Sequence, residues 1–113
     1  MFCHRPDGDT PLLETCKAMN YLIEEGYAFY WGTSMWPTAT ITKAIQLCKE
    51  YNLISPSVEQ PQYNMLTRDF FEKELGSVFE QFGYGSTIWS PLCSGLLTGK
   101  YNEGEVPDES RFK

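Results

Sequence analysis

Gly85-Ser-Thr-Ile-Trp-Ser-Pro-Leu-Cys-Ser-Gly-Leu-Leu-Thr-Gly-Lys-Tyr101 decides how the chain is read. Its first part, Ser86 to Trp89, is a short β-prone run. Pro91 then ends any central strand, because it has no backbone donor. Beyond it come small residues, Gly95, Gly99 and the single cation Lys100. A buried strand that opens into a small-residue loop with a cation is where α/β folds commonly bind phosphorylated ligands. The plain alternative is an ordinary strand-to-loop turn with a solvated lysine.

The same strand-then-small-residue motif recurs upstream. Thr10-Pro11 reads as a helix start, with a capping hydroxyl and proline at the first helical position. Leu12, Cys16, Met19 and Ile23 follow at helical spacing, and Gly26 supplies the stop. Tyr27 to Trp31 then reads as a buried strand, centred near Phe29 and closed by Gly32-Thr33-Ser34. A second helix starts at Pro37 to Thr40, with Ile41, Ala44, Ile45 and Cys48 as its inner face. Ser57 to Gln60 is the next strand, hemmed by Pro56 and Pro61. Asp69 with Glu72 suggests a capping box for a third helix, with Phe71, Leu75, Val78 and Phe82 as its stripe. Gly83 ends it, and the strand centred near Ile88 follows. From Tyr101 the chain turns polar and reads as a surface loop.

Helix–strand units thus recur about every thirty residues, the size of a βαβ unit, and predict an α/β fold with a mostly parallel sheet. An open doubly wound sheet and a slice of an eight-stranded barrel both fit. No Gly-x-Gly-x-x-Gly occurs, which removes the main support for a Rossmann fold. A whole barrel needs about 250 residues. The 113 residues supply three strands and the end of another at the start.

Composition narrows the partners. Fifteen acidic and nine basic residues give a formal net charge of −6, and no basic stripe exists for nucleic acid or an anionic membrane. No apolar run has the length of a membrane span. His4, Arg5 and Asp7 interrupt any leader core. Cys3, Cys16, Cys48 and Cys93 are widely spaced; with one histidine they make no zinc pattern, and the expectation is no metal and reduced thiols in a cytoplasmic protein.

In a parallel barrel the strand C-termini share one face, and that face carries the site. Polar residues follow four strands here: Cys3-His4-Arg5-Pro6-Asp7, Gly32-Thr33-Ser34, Glu59-Gln60-Pro61-Gln62 and Trp89-Ser90-Pro91. Each has a bland counterpart. His4 suits a solvated surface, and Glu59 suits either a catalytic acid or an internal ion pair. Ser34 and Gln60 are able to satisfy backbone groups. Trp89 suits a core, or stacks on a flat ring.

Tyr30-Trp31-Gly32-Thr33-Ser34, Glu59-Gln60-Pro61-Gln62-Tyr63-Asn64 and Trp89-Ser90-Pro91-Leu92 through Gly99-Lys100-Tyr101, in that order, resemble the aldo-keto reductases. His4-Arg5-Pro6-Asp7 and Ser110-Arg111-Phe112 are most similar to the branch of the voltage-gated potassium channel beta subunits and their plant and fungal relatives. The resemblance covers almost the whole chain. It implies a (β/α)8 TIM barrel, of which residues 1–113 would be one partial domain, from the end of strand 4 through strand 7 and the following loop. It implies NADPH and hydride transfer to an aldehyde or ketone.

By the same resemblance His4 is the fourth member of a catalytic Asp, Tyr, Lys and His set. Ser34 and Gln60 hold the nicotinamide carboxamide, and Trp89 stacks on its ring. Ser90, Leu92, Ser94 and Lys100 line the pyrophosphate, Arg111 lies near the adenosine phosphate, and Pro91 and Cys93 belong to the same cofactor-binding stretch. Three departures stand out. Met35 occupies a position where relatives carry Asn, Arg or Glu, Cys93 replaces the usual Ala, and Glu109 stands where some have Tyr. The catalytic Asp, Tyr and Lys precede position 1 in the family, so a fragment inactive alone is expected. Its open strand edges favour self-association. The alternative the resemblance offers is a channel-associated regulatory or redox-sensing module.

Overall fold

A computed structural model describes residues 1–111; Phe112 of the Ser110-Arg111-Phe112 match lies outside them. Four short parallel strands form one sheet in the order β1-β2-β3-β4. They are β1 (Phe2–His4), β2 (Gly32–Ser34), β3 (Val58–Glu59) and β4 (Gly85–Ser86). Helix α1 (Leu12–Glu24) precedes β2, and α2 (Thr38–Glu50) precedes β3. A π-helical turn (Phe70–Glu74) leading into α3 (Gly76–Phe82) precedes β4. The α/β class, the parallel pairing and the strand end near residue 4 agree with the sequence reading.

The core lies between the helices and the sheet. Cys16 and Met19 of α1, Ile41, Ala44, Ile45 and Cys48 of α2, and Leu75 with Val78 are all buried, together with Trp31, Trp36 and Tyr84. The inner face read for α2 is therefore the observed one. Each buried tryptophan satisfies its indole N–H. Trp31 Nε1 donates to the Ile54 carbonyl at 2.8 Å, and Trp36 Nε1 to the Cys3 carbonyl at 3.0 Å, as burial of an N–H demands. All four cysteines are free thiols.

Several boundaries differ from the sequence reading. The run Tyr27 to Trp31 is not the second strand. Tyr27, Phe29 and Tyr30 are exposed, Phe29 at 90%, and only Trp31 is buried. The ladder instead uses Gly32–Ser34, whose register is Phe2 with Gly32, Cys3 with Thr33 and His4 with Ser34. The small residues read as a closing turn are the strand because the sheet is tightest there. A Cβ on Gly32 would lie 2.5 Å from both Cγ1 and O of Val58. The strand at Ser57–Gln60 shrinks to Val58–Glu59, and the one expected at Ser86–Trp89, centred near Ile88, is displaced to Gly85–Ser86, with Trp89 left as an isolated bridge to Gln62.

The helix starts also differ. Pro11 occupies the cap position of α1 and makes no side-chain cap, while Thr10 Oγ1 donates to Asp7 Oδ2 at 2.7 Å. The Asp69–Glu72 capping box does not form. Glu72 accepts from Arg68 and from Tyr63 Oη, and Asp69 pairs with Lys73 at 2.9 Å. Ion-pair partners one turn away outcompete the cap for both carboxylates. Gly83 does end α3, in the left-handed conformation at φ 62°, where a glycine carries no Cβ penalty.

Candidate functional site at the strand C-termini

The carboxyl ends of the parallel strands lie side by side, and the sequence-selected residues sit there. His4 ends β1, exposed to solvent, in register with Ser34 at the end of β2. Gln60 follows β3. Ser34 is buried, and its Oγ donates to the Gln60 carbonyl at 2.9 Å, joining the two strand ends. The Gln60 Nε2 donates to Thr87 Oγ1 at 3.5 Å. The sulfur of Met35 accepts from the Gln62 N–H at 3.4 Å, so this side chain serves as an internal contact between the two strand ends.

Beyond β4 the β3–β4 pairing continues as separate rungs. Trp89 N–H donates to the Pro61 carbonyl at 3.0 Å, and Gln62 bridges Trp89 in parallel. The chain then turns sharply. Ser90 has φ 53°, Cys93 48°, Ser94 54° and Gly95 96°. Small side chains tolerate this left-handed run better than branched ones would. The 3-10 helical segment Cys93–Thr98 is kinked at Ser94 and Gly95, where the sequence suggests only a loop of small residues.

Trp89, Ser90, Pro91, Leu92, Ser94, Gly95, Thr98, Lys100 and Arg111 line one open cavity of about 620 Å³. Lys100 lies against Gly95, where a Cβ would come within 2.5 Å of its Cε and 2.8 Å of its Nζ. The absence of a side chain at Gly95 thus makes room for the cation. Lys100 Nζ also sits 4.8 Å from the Tyr101 ring centroid, and its hydrogen bond holds the Tyr101 phenol below the usual range. Two cations, two serines and a threonine in one cradle suit a phosphate-bearing ligand, and the Trp89 ring suits a flat one.

The structure therefore gathers Trp89, Ser90, Pro91, Leu92, Ser94, Lys100 and Arg111 around one cavity. His4, Ser34 and Gln60 stand apart from it at the neighbouring strand ends. Cys93 does not line the cavity; it is half-buried and its N–H donates to the Ser90 carbonyl at 3.0 Å. Among the described residues no group of three His, Cys, Asp or Glu side chains is placed to hold a metal. No helix there is long and apolar enough to cross a membrane.

Glu59 is neither in an ion pair with a neighbour nor open to solvent. It is fully buried. Its Oε2 accepts from Thr33 Oγ1, which also bonds Tyr84 Oη at 2.9 Å, and its Oε1 accepts from the Trp36 N–H at 3.3 Å. Burial raises its pKa against these lowering hydrogen bonds, and burial likewise raises that of Tyr84. The sequence assigns no role to Tyr84, nor to Thr33 and Asn64 beyond their place in the strand-end motifs. Asn64, two residues ahead of Leu66, had the one usable signal, since asparagine side chains close turns with backbone N–H groups two and three residues on.

A parallel α/β sheet with ligand-type chemistry at its strand C-termini is the class of protein defined by this geometry. The aldo/keto reductase family profile matches residues 1–112, and the chain belongs to that family. Over 99% of its length it is 52% identical to a probable voltage-gated potassium channel subunit beta of Arabidopsis thaliana, covering 34% of that protein. It is 49% identical to a probable subunit of the same kind from Oryza sativa subsp. japonica over 99% of the chain and 34% of the relative. A putative one from Schizosaccharomyces pombe is 52% identical over 99% of the chain and 32% of the relative. The chain thus spans about a third of the length of these curated relatives.

Proposed function

We propose that this chain carries the NADPH-binding strand ends of an aldo-keto reductase whose four strands are a segment of a (β/α)8 barrel, from the end of strand 4 through strand 7. The observation that carries the reading is the 620 Å³ cavity, which joins Trp89 to Lys100 and Arg111 through Ser90 and Ser94. The donor set fits a pyrophosphate: two cations, hydroxyls, and a bare Gly95 that admits the Lys100 ammonium. Ser34 and Gln60 orient the carboxamide at the neighbouring strand ends, and Trp89 supplies a stacking face. NADPH, when bound, supplies a hydride for reduction of an aldehyde or ketone. His4, at the end of β1, is placed to orient or polarise that carbonyl. It is the one member of the family's catalytic set within these residues, so the 113-residue polypeptide alone does not reduce carbonyls.

The test is a titration of the chain with NADPH, followed by tryptophan fluorescence. Saturable quenching is expected, weakened about tenfold by Lys100→Ala, since a charge-assisted hydrogen bond is removed. Absence of quenching in the wild type overturns the reading. Turnover of an aromatic aldehyde by the chain, abolished in His4→Ala, overturns the assignment of the chemistry to the full catalytic set.

A second reading, a cytoplasmic channel-associated regulatory or redox-sensing module, draws on the names of the similar proteins, which are potassium channel beta subunits. Co-purification of the chain with a potassium channel tetramer supports it, and failure to co-purify counts against it.

A further inference from the structure

The β3–β4 ladder does not end where its main-chain rungs end. Those rungs run from Gly85 N–H to the Ser57 carbonyl, Thr87 to Glu59 and Trp89 to Pro61, with Tyr63 N–H returning to Trp89 at 3.4 Å. At Ser90 the chain turns out of line, at φ 53°. The next rung is made by a side chain, as Asn64 Nδ2 donates to the Ser90 carbonyl at 3.1 Å. That carbonyl also accepts from Cys93 N–H at 3.0 Å, the bond that closes the turn.

The other half of the amide fixes its orientation. Asn64 Oδ1 accepts from the N–H groups of Leu66 at 2.9 Å and Thr67 at 3.0 Å. Asn64 is itself buried. With the oxygen held by two donors, only the NH₂ is left to face Ser90. One buried amide therefore locks the loop after β3 to the first residue of the loop that carries Ser94, Gly95 and Lys100.

We infer that Asn64 is a positioning residue: through the Ser90 carbonyl it holds the Ser90–Lys100 loop in its ligand-binding shape without itself supplying a phosphate contact. The functional half of this inference rests on the dinucleotide reading above; the clamp itself does not. Loss of the clamp leaves the Ser90 carbonyl with a single hydrogen bond, from Cys93 N–H, and the loop samples shapes in which its hydroxyls and cation diverge.

Asn64→Asp separates the two jobs, because it keeps an acceptor for Leu66 and Thr67 and removes the donor to Ser90. Asn64→Ser does so without added charge, since its hydroxyl can close the same kind of turn but is too short to reach Ser90. Amide hydrogen exchange and NADPH titration are measured on the whole chain. In both variants the Cys93 and Gly95 amides are expected to exchange about tenfold faster, with protection in α2 unchanged. The NADPH Kd is expected to rise about tenfold. Wild-type exchange at Cys93 and Gly95 in both variants overturns the clamp, whatever NADPH does. Loss of protection throughout both variants, α2 included, makes Asn64 a general fold residue and overturns it too. Faster loop exchange with an unchanged Kd overturns the positioning role. A wild-type chain that binds no NADPH overturns the dinucleotide reading, and the exchange data alone then decide the clamp.

Discussion

Glu59 shows how much a single buried side chain carries here. Its carboxyl ties β3 to Thr33 of β2 and to the Trp36 N–H just before α2. Its folded pKa is raised by burial, so the folded state holds the proton more tightly than the unfolded chain does. The stability it contributes is therefore fully present below the ordinary glutamate value of 4.5, and is lost as pH rises through the higher folded value. The expected outcome is a urea midpoint that falls over that window in the wild type and falls less in Glu59→Gln, measured by tryptophan fluorescence across a pH series. An identical fall in both proteins assigns the pH response to other groups. From the sequence, Glu59 was legible as a strand-end carboxylate, but its partners were not, because Thr33, Trp36 and Tyr84 are distant in sequence and meet only in the sheet.

At the scale of elements, the tightest constraint is the close approach of β2 to its neighbours. Gly32 has Val58 backbone and side-chain atoms where a Cβ would go, and Phe2 Cε1 at 3.0 Å. Gly85, on the edge strand, has only the Ser57 carbonyl at 3.8 Å. Gly32→Ala is expected to destabilise the chain by about 2 kcal/mol through overpacking. Gly85→Ala should stay within about 0.5 kcal/mol of the wild type. Chemical denaturation of the two variants checks the contrast, and equal midpoints would sink it. Helix faces were readable from spacing, since a periodic stripe needs only one partner surface. Strand limits were not. An aromatic run such as Tyr27 to Tyr30 promises burial, but burial depends on which neighbouring surface arrives, and among the described residues none covers Phe29.

For the molecule as a whole, the described sheet has β1 and β4 at its edges, and Phe2, Tyr27, Phe29, Tyr30 and Ile54 are exposed. The radius of gyration is 17.1 Å, against about 13 Å for a compact domain of this size. Open parallel edges and exposed aromatics favour association, while a net charge of −6 opposes it. Added salt screens that repulsion and leaves the apolar attraction in place. Sedimentation is therefore expected to show species heavier than 13.0 kDa, more of them as salt is raised and fewer in Phe29→Glu. A monomer at every salt concentration would refute this.

The α/β class, the helix faces, the strand-end location of Ser34, Gln60 and Trp89, and the family were all determined by the sequence itself. They rest on local chemistry: spacing, proline and glycine punctuation, and motifs that read in order along the chain. Tertiary structure alone decided the strand limits, the neutral partners of Glu59, the room that Gly95 leaves for Lys100 and the Asn64 clamp on Ser90. The strand limits, the Glu59 partners and the clamp depend on distances between residues far apart in the chain, while the Gly95–Lys100 fit follows from the left-handed turn at Ser94 and Gly95 that folds the loop back on itself. Local propensity holds no record of such distances, because they arise only when the strands pack.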